Sequence, residues 1–175
     1  MPPSDPVTCS NDPTDSMFHS KRYAQASIAF QRAGCPHEVA VCDAYLLREK
    51  AQSQPSTAGA LRERAFIEAA TAFNTCARTA PPELIDEDIR TYYKIAGECF
   101  SDGHKLDEAG KSFVEAGEYT LAVGVYRKGG YFDEMVEVLR LHGSSINSGV
   151  VRRLTEVARM FYFKVSRGLH EGDAY

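Results

Sequence analysis

The chain has 175 residues, 43% apolar and 25% charged, with a formal net charge of −4 and no tryptophan. That length suits one domain with an extended core, and the net charge argues against non-specific nucleic-acid binding by the chain as a whole. No stretch approaches the roughly 18 to 20 apolar residues of a membrane span, and Val and Ile form no alternating run of strand length. The N-terminus lacks the basic and apolar regions of a signal peptide, so an intracellular location, cytoplasmic or nuclear, is expected. Five cysteines, Cys9, Cys35, Cys42, Cys76 and Cys99, are odd in number and scattered. They fit reduced thiols better than a disulfide framework.

In chain order, residues 1–15 form a polar tail expected to be disordered. A helix is predicted near 16–33, with Asp15 or Ser16 as its N-cap. Gly34-Cys35-Pro36 breaks it, and Pro36 suits the first turn of a helix near 37–52. A short loop at 53–59 precedes a long helix near 60–78. The connection RTAPPELIDED carries two prolines and an acidic cluster, whose charge complements the N-terminus of the next helix. Short periodic helices then follow from about 87 to 142. After a polar linker, with Ser148 as candidate cap, a last helix near 149–166 places Val150, Leu154, Val157, Phe161 and Val165 on one stripe. Residues 167–175 form a C-terminal tail, leaving 16–166 as a single helical repeat domain.

The periodic region has a phrase. Tyr93, Leu106, Tyr119 and Phe132 stand thirteen residues apart. Position four of each phrase is small or flexible (Ala96, Ala109, Ala122, Met135), and position eight is large (Phe100, Phe113, Tyr126, Leu139). Glycine follows at position eleven or twelve (Gly103, Gly117, Gly129 with Gly130, Gly143). Offsets 0, 3, 7 and 10 share one helix face. The alanine lets a neighbouring helix approach, and a terminal glycine can take the left-handed conformation that closes a helix. Helices of about ten residues are marginal alone, so they must stack. The phrase recurs upstream from Tyr23 and from Phe66. The expected fold is all-α, a right-handed stack of eight or nine helices in antiparallel hairpins. Such arrays are usually binding scaffolds rather than catalysts.

Chemical motifs are weak. Gly110-Lys111-Ser112 lacks the glycine five places before Gly110 that a phosphate loop needs, and no strand precedes it. Lys111 falls inside a repeat. Cys35, His37 and Cys42 have no second ligand pair to complete a tetrahedral metal site, and Cys42, Cys76 and Cys99 sit at core positions. His19, His104, His142 and His170 lie at helix ends or turns without a nucleophile partner at motif spacing. No catalytic, cofactor or metal residue is assigned, and no enzyme activity is expected. Arg152, Arg153, Arg159, Lys164 and Arg167 make the last helix basic, with Arg152–Glu156 and Glu156–Arg159 at pairing distance. Tyr92 and Tyr131 lie just outside the phrase. These two tyrosines, with Arg152, Arg153 and Arg159, are the candidate partner contacts.

The runs FQRAGCPHEVAVCDAYLLREKA, FIEAATAFNTCA and AGEYTLAVGVYRKGGYFDEMVEV resemble the tetratricopeptide-like helical repeat region of large fungal UvrD/Rep-like helicase proteins. Those proteins are similar to tetratricopeptide and ankyrin repeat-containing proteins. The likeness covers roughly residues 17–165. It implies the family's tetratricopeptide-like α-solenoid, but no helicase motif is present, and the 34-residue tetratricopeptide marks are missing. The chain is expected to be a free-standing fragment or short paralogue of such a protein. Its expected role is protein–protein interaction through the groove of the superhelix. The alternative is a nucleic-acid-binding accessory module of a helicase. Self-association through the open ends of the stack is a further expectation.

Overall fold

The computed structural model describes residues 22–172, with side chains to residue 167. The expected tail at 1–15, the Asp15 or Ser16 cap, and Cys9, His19 and His170 lie outside that range. Among the described residues there are eight α-helices and no strand. They are α1 (Tyr23–Ala33), α2 (Pro36–Ser53), α3 (Gly59–Arg78), α4 (Asp86–Asp102), α5 (Leu106–Glu115), α6 (Tyr119–Gly129), α7 (Phe132–His142) and α8 (Ser148–Gly172). Short 3-10 turns at Ser56–Ala58 and Gly143–Ser145 precede α3 and α8. Each helix packs principally on its neighbours in sequence.

The thirteen-residue phrase is the packing register. Helices α5, α6 and α7 begin on its first residue, whereas α3 and α4 carry two further turns ahead of Phe66 and Tyr93. The small position is the inner one in all six copies: Ala26, Ala69, Ala96, Ala109, Ala122 and Met135 each have 0% exposure. At the large position Phe30, Phe73, Phe100, Phe113 and Tyr126 are buried, and Leu139 is half-buried. The residue after the alanine receives the next helix. A Cβ on Gly97 would lie 2.8 Å from the Phe113 ring, and one on Gly110 would overlap the Tyr126 ring. Phe113 and Tyr126 thus sit in notches cut by glycine, which bring adjacent helices together.

One turn closes α1, α4, α5 and α6. The residue after position eleven takes the left-handed conformation: Gly34 (φ 76°), His104 (φ 58°), Gly117 (φ 76°) and Gly130 (φ 78°). The next N–H then bonds back to the large residue's carbonyl. These bonds run Cys35 to Phe30 at 3.0 Å, Lys105 to Phe100 at 2.8 Å, Glu118 to Phe113 at 2.8 Å and Tyr131 to Tyr126 at 2.9 Å. This six-to-one bond defines a Schellman closure. The left-handed role expected of Gly103 and Gly143 is not theirs: their φ angles are −83° and −59°. Gly103 instead admits Ile67 of α3, whose Cγ1 would lie 2.8 Å from an added Cβ.

Further differences concern ends. Asn147 caps α8, rather than Ser148, because its Oδ1 accepts the Gly149 N–H at 2.9 Å. Helix α8 continues to Gly172, past the end expected near 166. The acidic cluster does place Asp86, Glu87 and Asp88 in the first turn of α4, where the positive end of the helix dipole lies.

Contacts also skip one helix. Arg48 of α2 pairs with Glu98 of α4 at 2.7 Å, and Lys94 of α4 pairs with Glu118, which precedes α6, at 2.5 Å. Ser112 of α5 reaches Asn74 of α3 at 3.3 Å. One buried cluster runs from Val41 to Ala158, and a smaller one joins Tyr23, Ala26, Phe30 and Cys42 where α1 meets α2. Tyr45 bridges the two, stacked on Tyr23 at 4.7 Å and edge-on to Phe73 at 4.9 Å.

Candidate partner-binding surface

Among the described residues, several groups that chemistry could use are engaged in structure. Gly110-Lys111-Ser112 lies inside α5. Gly110 underlies the Tyr126 ring, Lys111 Nζ donates to Asp107 at 2.6 Å, and Ser112 Oγ donates to the Glu108 carbonyl at 3.0 Å. Cys42, Cys76 and Cys99 are buried thiols, and Cys35 is half-buried. Burial pushes Cys42 and Cys99 up to about 11, against the thiolate that nucleophilic attack needs. Among the described residues no three His, Cys, Asp or Glu side chains gather as metal ligands, and no helix is long and apolar enough to cross a membrane. His142 stacks on Tyr119 with ring centroids 3.9 Å apart.

The surface is more informative. Eleven large apolar side chains are exposed among the described residues, and five of them fall within six residues of α8: Met160, Phe161, Tyr162, Phe163 and Val165. The first half of α8 is held down, with Leu154 and Ala158 in the main core. Phe161 stacks on Phe132 of α7 at 4.0 Å, and the Tyr162 hydroxyl donates to Asp133. The expected stripe is therefore buried only in part. Phe161 and Val165 stay 37% and 45% exposed, because no other helix among the described residues covers them fully.

Between α6 and α8 this leaves an open groove of about 830 Å³. Val123, Gly124, Phe132, Leu154, Val157 and Met160 give it an apolar floor. Arg127, Arg153, Lys164 and Glu156 stand along it. Glu156 faces Arg159 at 3.4 Å, while Arg127, Arg153 and Lys164 form no ion pair among the described residues. A smaller hollow of about 450 Å³ between α5 and α7 has the opposite sign, with Glu115, Asp133, Glu134 and Glu137 around Val138 and Leu141.

The five candidate contacts separate. Tyr92 is half-buried against the core and tilted toward His37 at 6.1 Å, not exposed as expected. Burial, then the charge of Asp88, raises its phenol. Tyr131 is 37% exposed and lies over Gly129. Arg152, Arg153 and Arg159 are exposed, but only Arg153 lines the groove. Arg159 borders a hollow with Met160, Tyr162 and Phe163. The residues not singled out were Arg127, Met160 and Phe163. Their signal was the run Met160-Phe161-Tyr162-Phe163, since four consecutive apolar residues point to every side of a helix and one neighbour cannot cover them all.

The described residues form an all-helical fold whose exposed large apolar side chains are densest on α8. No protein-family model, no curated protein and no solved structure matches the chain.

Proposed function

We propose that the chain is a non-catalytic helical-repeat scaffold that holds a protein partner. The observation that carries this reading is the apolar groove beside α8, larger than scattered surface residues would make and lined on both sides by packed helices. The architecture we infer is a tetratricopeptide-like α-solenoid. The repeated closure supports it, as do the ties that skip one helix, from α2 to α4 and from α3 to α5. Its kinship would lie with the helical repeat regions of fungal UvrD/Rep-like helicase proteins, on the sequence phrases given above. The test places a photo-crosslinking residue at position 163 and exposes the chain to an extract of its source cell. The expected result is a discrete protein adduct that excess wild-type chain suppresses and a Met160→Asp chain does not. Recovery of no protein adduct would count against the reading.

A second reading, a nucleic-acid accessory module, draws on one observation: the Arg167 guanidinium lies 5.8 Å from the ring of exposed Phe163 on a basic helix. Such a pair can stack a base. Binding of a single-stranded oligonucleotide that falls steeply with salt would favour it. No shift at 50 mM salt would dispose of it.

A further inference from the structure

We infer that the α6–α8 groove takes an acidic amphipathic helix of a partner protein, about four turns long. This rests on the scaffold reading and names its occupant.

Three features of the groove select the occupant. Its floor is aliphatic and aromatic, so it removes an apolar stripe from water. Its length follows from α8: Val150 to Lys164 spans about 21 Å at the helical rise of 1.5 Å per residue. A partner helix of about fourteen residues would match that length, with anchors at i, i+3 or i+4, and i+7. Its rim carries three cations, Arg127, Arg153 and Lys164, none paired within the described chain, against one carboxylate, Glu156, which faces Arg159. Carboxylates flanking the partner's stripe would meet them.

Charge also argues against the other occupants. From Ser148 to Arg167 the chain carries five cations and one carboxylate, in a protein whose formal charge is −4. A second α8 laid against the first would set like charge on like. A second copy's α8 could seek the acidic α5–α7 hollow, but Asp133 there is already bound by this chain's own Tyr162. A nucleic acid would meet an acidic remainder of the molecule, and in the groove the two aromatic rings, Phe132 and Phe161, are stacked on each other rather than set out as a row of platforms for bases.

The test uses the full chain and two fluorescein-labelled 16-residue peptides with the same leucine stripe, one flanked by Glu and one by Lys. Anisotropy should show the Glu peptide binding at least tenfold more tightly, and more weakly at 300 mM than at 50 mM salt. In Arg153→Glu/Lys164→Glu the preference should reverse, and Met160→Asp should weaken both peptides at least tenfold. Circular dichroism checks that these exposed substitutions leave the helices intact. Equal binding of the two peptides, or binding that ignores the variants, overturns the proposal. So does a sedimentation dimer that Met160→Asp dissociates, which would assign the groove to a second copy, or displacement of the peptide by single-stranded RNA. If the peptides fail while position 163 still crosslinks to a protein, the groove assignment falls and the scaffold reading stands. If both fail, both fall.

Discussion

His104 fills a slot that glycine fills in the other three copies of the closing turn. A side chain in the left-handed region costs roughly 1–2 kcal/mol. His104 Nε2 lies 3.8 Å from the Glu63 carboxylate, with both side chains exposed. An exposed pair of that kind contributes little. His104→Gly should therefore raise stability by about 0.5–1 kcal/mol in urea unfolding, allowing for the extra freedom of glycine in the unfolded chain. Gly117→Ala and Gly130→Ala should each lower it by about 1 kcal/mol. Nothing lies within 4 Å of a Cβ added at either, so the backbone alone sets that loss. Gly110 is the contrasting case. Its backbone is helical, and its lack of a side chain serves the Tyr126 ring. Gly110→Ala gains helix propensity yet should destabilise by about 1–3 kcal/mol through overpacking. Combined with Tyr126→Leu it should be non-additive by at least about 0.5 kcal/mol, which a double-mutant cycle in urea would read.

At the scale of the helix, the phrase made most of the elements legible. Alternation of a small and a large residue on one stripe carries both the helix and its inner face, and all six inner positions are fully covered. The turns were half legible. Glycine marks a helix end, but where two residues compete, as with Gly103 and His104, backbone geometry decides which becomes left-handed, and composition does not record it. The notches at Gly97 and Gly110 were missed because a glycine inside a helix resembles a mere lapse in propensity until the facing ring is known. Helix α8 shows a different limit. Periodicity reveals which side is apolar, not whether a neighbour exists to cover it. Its residues that do and do not touch a neighbour should accordingly respond differently. Phe161→Ala, which loses the stack on Phe132, should cost about 1 kcal/mol. Phe163→Ala should stay within about 0.5 kcal/mol. Chemical denaturation of the two variants checks the contrast, and equal losses would mean that Phe163 is packed in solution.

Over the whole molecule, contacts run from each helix to the next, and cooperativity should weaken toward the ends. The smaller cluster at α1 meets the main core chiefly through Tyr45. Phe30→Ala should therefore open α1 locally. Hydrogen exchange at 23–33 should rise by at least tenfold while the global urea midpoint moves much less than a core truncation of about 3–5 kcal/mol would demand. A single global loss of that size would show that α1 unfolds with the rest. Charge is segregated on the same scale, with a basic last helix on an acidic body. Association with an acidic partner should thus be steered toward one end of the molecule and slowed by salt.

The recurrence of one turn at His104, Gly117 and Gly130 bears on how such a chain can change length. Each interval reverses the direction of the chain once. Duplication of a single interval would leave every join chemically sound, yet deliver α8 pointing the opposite way, with its basic, apolar half at the wrong end of the groove. Duplication of two would restore its direction and carry the groove outward on a longer body. Insertions or deletions that preserve the groove should therefore come in pairs of helices, a parity that the local turns impose.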